Sequence, residues 1–176
     1  ISRRQRQMCI RDRNFERYKE FLKKNKCKIN AFVSEFYQPG SFSLQDPDNN
    51  MICFGVLKKE NYFFSKGIYA PLQHITFASE DVKKFENFYQ RKLGFQVTDR
   101  VVKSTGELAA CFTTSNHEHH TIACFKSSQN GMDHHSYETG EWNNIKIWCD
   151  HFAKNNVKLM WGPGRHGPGN NLFVFI

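Results

Sequence analysis

LQHITFASEDVKKFENFYQRKLGFQV, residues 72 to 97, decides how this chain folds. In its first eight residues Ile75 and Phe77 fall on one face of an extended backbone and His74 and Thr76 on the other, the period of two expected of a strand. Asp81 then stands where a helix cap belongs. Val82, Phe85, Phe88, Tyr89 and Leu93 recur at helical spacing behind it, and Gly94 supplies the stop. A strand, a capped amphipathic helix and a new strand-like run therefore follow one another within 26 residues.

The same grammar continues downstream. Strand-like runs occupy 95 to 102, 107 to 114, 119 to 125 and 132 to 139, and a second amphipathic helix uses Trp142, Ile145, Cys149 and Phe152 before another strand begins. Upstream, Phe15, Tyr18 and Leu22 give residues 14 to 26 a helical spacing. Strand-like runs follow at Ile29 to Tyr37, Ser41 to Gln45 and Met51 to Leu57, and the last two are separated by the turn Asp46-Pro47-Asp48-Asn49-Asn50. Residues 58 to 71 read as a linker. The pattern predicts an α+β fold of repeated βαβββ units forming a cupped mixed β-sheet, with residues 14 to 57 as the tail of one unit and 72 to 176 as the next.

Composition narrows the function classes. The chain has 176 residues, 39% hydrophobic and 15% aromatic, enough to bury a core. Its net charge of +8 is uneven: residues 1 to 13 carry five Arg and one Asp, which leaves 20 basic against 16 acidic residues elsewhere. Those arginines have no interleaved aromatics and no recognition helix behind them, so the segment reads as a disordered or non-native basic tail, and no nucleic-acid partner is expected. No apolar run approaches the roughly 18 residues of a membrane span, and no secretion signal is visible, so the expectation is a cytoplasmic protein without a membrane partner. The six cysteines are scattered, with no CxxC pair. They are expected to be reduced thiols, mostly buried.

Three phrases carry the chemistry. His74-Ile75-Thr76, His119-His120-Thr121 and His134-His135-Ser136 each place an imidazole and a small hydroxyl two residues apart, on one face if the stretch is a strand. Three histidines facing one cavity suggest a metal site. The phase of Ile122 and Cys124 points His120 the other way, into the core. His117, His135 and His151 lack such context and read as surface or structural, and Gly162, Gly164, Gly167 and Gly169 read as tight-turn glycines.

At these residues the chain resembles the vicinal oxygen chelate (glyoxalase/bleomycin resistance/dioxygenase) superfamily. LQHITFASEDVKKFENFYQRKLGFQV looks like the opening of one such module, while GMDHHSYETGEWNNIKIW and WGPGRHGPGNNLFVF are similar to the catalytic module of two-module extradiol, catechol-type dioxygenases. The DPDNN turn before Phe54-Gly55 resembles the close of their preceding, non-catalytic module. The resemblance implies a non-haem Fe(II) site, with Mn(II) or Zn(II) as alternatives, held by His74 and His134. It implies His119 as the acid-base residue, with His120 the one-residue alternative, and His166 as a contact to the substrate. A small aromatic diol and O2 are the implied reactants, and the full-length protein is expected to be a homo-oligomer.

Two departures qualify that picture. The glutamate expected as third ligand belongs to a DPDGN-x-x-E segment that would follow Ile176, so the chain is expected to be a fragment cut at both ends, inactive alone and prone to aggregate through an unpaired sheet edge. Phe175 stands where many ring-cleaving relatives have a tyrosine, and Cys53 where the upstream module would have its glutamate. Two other functions fit the same residues: another vicinal oxygen chelate enzyme, an isomerase or lyase on zinc or manganese, and a non-enzymatic module that binds a small aromatic.

Overall fold

The computed structural model describes residues 12–58, 68–165, 167 and 170–176. The described residues divide into two compact units, one holding 12–58 and 74–136, the other 68–73 and the residues from 137 onward. In the first, α1 (Asp12–Lys24) precedes a three-stranded antiparallel sheet of β1 (Asn30–Ala31), β2 (Phe42–Gln45) and β3 (Met51–Phe54). Most of the expected strand at 29–37 is irregular: only Asn30 and Ala31 pair, with Ser43 and Phe42, and Tyr37 bridges to Leu57.

A five-stranded mixed sheet follows, in the order β5-β6-β7-β4-β8, from β4 (Leu72–Ser79), β5 (Gln96–Val102), β6 (Leu108–Thr114), β7 (Ile122–Lys126) and β8 (Gly131–Tyr137). The strands β4 and β7 run parallel, while β6 is antiparallel to both β5 and β7. Between β4 and β5 lies α2 (Val82–Asn87), which continues as a π-helical turn through Lys92. As the sequence predicts, the Asp81 carboxylate caps this helix by accepting from the Lys84 amide at 2.9 Å, and Gly94 leaves it with φ +79°.

Cross-strand register divides the sheet into two faces. The row Arg100, Cys111, Cys124 and Phe77 points toward α2, where Phe77 packs on Phe85 and Arg100 reaches Glu86. The next row, Asp99, Phe112, Ala123 and Thr76, points to the opposite, cupped face. The helix-side core joins Val82, Phe85, Tyr89, Leu93 and Phe95 to Phe15, Leu22, Phe42, Leu44 and Phe54 from the upstream segment. Each such buried side chain contributes roughly 1.5–3 kcal/mol of burial free energy, so the upstream residues are integral to this unit. Two hydrogen bonds reinforce the join: the Tyr18 hydroxyl donates to the Leu93 carbonyl at 2.8 Å and the Tyr89 hydroxyl to Asp46 Oδ2 at 3.3 Å.

The second unit contains α3 (Trp142–Lys154) and a two-stranded antiparallel sheet of β9 (Trp161–Arg165) and β10 (Leu172–Phe175). Gly162 and Gly164 lie inside β9 rather than in a turn. A Cβ on Gly162 would come within 2.9 Å of the Phe173 carbonyl oxygen, and its φ is +95°, so close backbone approach is the reason for glycine here. The chain is therefore a mixed α+β structure. Among the described residues no helix is long and apolar enough to cross a membrane. Cys27, Cys53, Cys111, Cys124 and Cys149 are free thiols, of which Cys111 and Cys124 are fully buried.

Candidate functional site

His74 and His134 come together on neighbouring strands, β4 and β8. Their Nε2 atoms are 3.3 Å apart and their rings meet edge to face with centroids at 5.5 Å. Two imidazole nitrogens bound at about 2.0–2.1 Å to one ion, at angles between octahedral and tetrahedral, lie roughly 2.8–3.4 Å apart. The observed spacing fits a shared metal. His134 presents the same nitrogen for a second reason, since its Nδ1 is engaged at 2.7 Å by Asp133 Oδ2.

Thr76, two residues beyond His74 on the same face, is 1% exposed, and its Oγ1 finds no hydrogen-bond partner among the described residues; the buried Oγ1 of Thr121 is in the same position. A buried hydroxyl left unpaired costs about 1–3 kcal/mol. Two such hydroxyls on or beside the strand that carries His74 suit a site built for a polar occupant rather than an apolar core. Among the described residues no group of three or more His, Cys, Asp or Glu side chains is arranged to hold an ion, and His74 and His134 stand together as a pair.

The third phrase behaves differently from its reading as a strand. Strand β7 begins only at Ile122, so His119 and His120 precede it and strand alternation does not govern them. His120 turns away from the helix-side core: it is 7% exposed, with its ring centroid 4.4 Å from that of His74 and 5.1 Å from Phe112 on the cupped face. His119 also packs on Phe112, at 5.7 Å. The two histidines share a short Nδ1 to Nδ1 contact of 2.9 Å, which requires one ring to donate and the other to accept. At the outer end His119 Nε2 faces Asp99 Oδ2 at 3.8 Å.

The remaining residues singled out by sequence fall elsewhere. His166 lies outside the described residues. His117 sits beside Glu118 at 3.0 Å, His135 is exposed, and His151 lies exposed on α3 in the second unit. Phe175 packs with Trp161 and Phe173 in the β9–β10 sheet, and Cys53 lies on β3 opposite Ser43. Sequence reasoning missed Asp133 and Asp99. Asp133 is the immediate neighbour of His134, and alternation assigns neighbours to opposite faces; Asp99 reaches His119 only through a β5–β6 register that no local pattern encodes.

The fold and this pair of histidines define the class. The chain belongs to the Glyoxalase/Bleomycin resistance protein/Dioxygenase superfamily, whose family model matches residues 72–175. Among curated proteins it is similar to metapyrocatechase 2 of Cupriavidus necator, 29% identical over 105 residues that make up 60% of this chain and 32% of the relative. Among solved structures it resembles the 2,3-dioxygenase LapB from Pseudomonas sp. KL28, with TM-score 0.78 and 18% identity over 93% of this chain and 63% of LapB. It also resembles a Mn(II)-bound glyoxalase from Novosphingobium aromaticivorans, with TM-score 0.72 and 22% identity over 92% of this chain and 54% of that one. The chain thus spans about a third of the curated relative and under two thirds of LapB. At these identities the two structures speak to fold.

Proposed function

We propose that this chain forms part of an extradiol ring-cleaving dioxygenase, in which a non-haem Fe(II) site takes a catechol-like diol and O2. The observation that carries the reading is the 3.3 Å convergence of His74 and His134 Nε2 within a fold shared with 2,3-dioxygenases. In this reading the two histidines hold the metal, a glutamate following Ile176 completes a two-histidine, one-carboxylate set, and residues 14–57 and 72–176 derive from successive modules joined by 58–71. When bound, ferrous iron supplies an open coordination face for oxygen chemistry and acidifies an attached hydroxyl.

The chain's own residues supply proton handling and positioning. His119 is the acid-base residue, and His120 joins it: a proton taken up at His120 passes across the Nδ1 to Nδ1 hydrogen bond to His119, whose Nε2 faces Asp99. Phe112 holds both rings in place. His166 is assigned to the bound diol. The protein is proposed to work in the cytoplasm, as a homo-oligomer, with no nucleic-acid or membrane partner. Iron-loaded protein carrying the completed site should consume O2 and form a yellow ring-cleavage product from catechols; an iron-replete protein with no oxygen uptake on any catechol would overturn the assignment.

A second reading has a specific support, the likeness to a Mn(II)-bound glyoxalase. The same histidine pair would then serve an isomerase or lyase on manganese or zinc. Elemental analysis separates the two, since manganese or zinc in the purified protein without oxygen uptake favours the isomerase or lyase. Binding of a small aromatic that persists in a chelator and in the His74→Ala, His134→Ala double variant would instead favour a non-enzymatic module.

A further inference from the structure

We infer that Asp133 is a positioning residue that fixes the tautomer of His134 and so aims its Nε2 lone pair at the metal position; this rests on the metal-centre reading above. Asp133 Oδ2 lies 2.7 Å from His134 Nδ1, a short, charge-assisted contact. An ionised carboxylate can only accept, so the shared proton resides on Nδ1. A neutral imidazole protonated at Nδ1 has its lone pair at Nε2, the atom that faces His74. The alternative tautomer would point an N–H at the ion and could not ligate.

Fold position explains why a sequence neighbour can do this. Residues adjacent on a strand project to opposite faces, which would keep Asp133 away from the His134 ring in the middle of a sheet. Among the described residues β8 is the outermost strand of its sheet, with β4 on one side only, and the Asp133 side chain is 52% exposed. The carboxylate can therefore reach round the open edge to Nδ1 while keeping much of its hydration, and it avoids the desolvation cost of a buried charge. Outer partners of this kind tune ligand basicity and orientation, and their loss typically weakens metal binding about 10–100-fold.

The test reads the tautomer and the metal separately. In long-range 1H–15N spectra of the metal-free chain at alkaline pH, with His134 assigned through a His134→Ala variant, wild-type His134 should be the Nδ1–H form. Asp133→Ala should shift it toward Nε2–H, and Asp133→Asn, kept in case the alanine variant misfolds, should shift it partway. In Co(II) titrations followed by visible absorption, Asp133→Ala should weaken binding about 10–100-fold at unchanged far-UV circular dichroism, and Asp133→Glu should recover most of the loss. A wild-type Nε2–H tautomer, or an Asp133→Ala variant identical to wild type in its His134 spectrum, overturns the inference. Wild-type protein that binds no Co(II) overturns the metal-centre reading instead, and the spectra still decide the role of Asp133.

Discussion

The ring of His120 lies 4.4 Å from the ring of His74, closer than His134 at 5.5 Å, and it is tied to His119 through paired Nδ1 atoms 2.9 Å apart. The expected consequence is that His119 and His120 act as one unit. In iron-loaded enzyme, His119→Ala and His120→Ala should each lower kcat by about 10²-fold or more, with metal content retained. The double variant should be little worse than the worse single one, because residues in one hydrogen-bonded chain are non-additive. Fully multiplicative losses would show that the two work independently.

Metal binding should depend on His74 and His134 and not on the adjacent imidazole. His74→Ala and His134→Ala should each lose at least about 10-fold in affinity for Fe(II) or Co(II), and the exposed His135→Ala should bind as wild type does. Titration of the three variants side by side makes the comparison. Equal loss in His135→Ala would contradict the assignment of the ligand within the His134-His135 pair.

Glu86 is 1% exposed and receives Arg100 Nε at 2.6 Å and Lys83 Nζ at 2.7 Å, pinning α2 to β5. Burial alone would raise its carboxyl pKa, but the hydrogen bonds and charges of Arg100 and Lys83 outweigh burial and leave it below the usual range. A carboxylate held low contributes stability above its unfolded pKa of about 4.3 and loses that contribution as pH falls through the folded value. Arg100→Met should cost about 1–3 kcal/mol in urea unfolding at neutral pH, since it strips a buried carboxylate of one partner. Its stability should also fall less steeply with acidification below about pH 4 than that of wild type. Parallel pH profiles would indicate that Arg100 does not hold the group down.

Tyr89 is buried, and its phenol is pushed well above the ordinary range by burial first and by the neighbouring Asp46 carboxylate second. Asp46 keeps three other bonds, from the Asp48 and Asn50 amides and from Asn50 Nδ2. Tyr89→Phe should therefore cost no more than about 1.5–3 kcal/mol, the net worth of one hydrogen bond to a charged group, in a thermal or urea melt. A loss of several kcal/mol would mean the phenol organises the whole DPDNN turn.

The strands β9 and β10 pair only with one another among the described residues, and Trp161 at the start of β9 and Met160 just before it are exposed. Two-stranded sheets with open edges are templates for further pairing. The 176-residue chain is expected to self-associate with rising concentration in light scattering. A monodisperse monomer across the concentration range would contradict this.

Much of the architecture was legible before any coordinates. The Asp81 cap, the Gly94 stop, the apolar stripe of α2 and most strands of the second sheet are local properties, written in periodicities of 3.6 and 2 and in residues with special backbone preferences. The choice of His74 and His134 as a pair rests on the family resemblance; alternation, which holds on both their strands, gives only the face on which each imidazole stands. The His119-His120 phrase escaped the same logic. Its strand starts at Ile122, and two residues ahead of a strand the backbone is free to rotate each ring to either side.

What the sequence by itself determined is therefore the set of elements and the chemical identity of the ligand candidates, since these follow from near-neighbour sterics and side-chain type. Tertiary structure alone decided which imidazole lies against His74, that Asp133 reaches His134 round an edge strand, and that Asp99 faces His119. Those contacts depend on strand order and cross-strand register, which are set by packing of the whole sheet against one shared core and leave no periodic mark on any single stretch of chain.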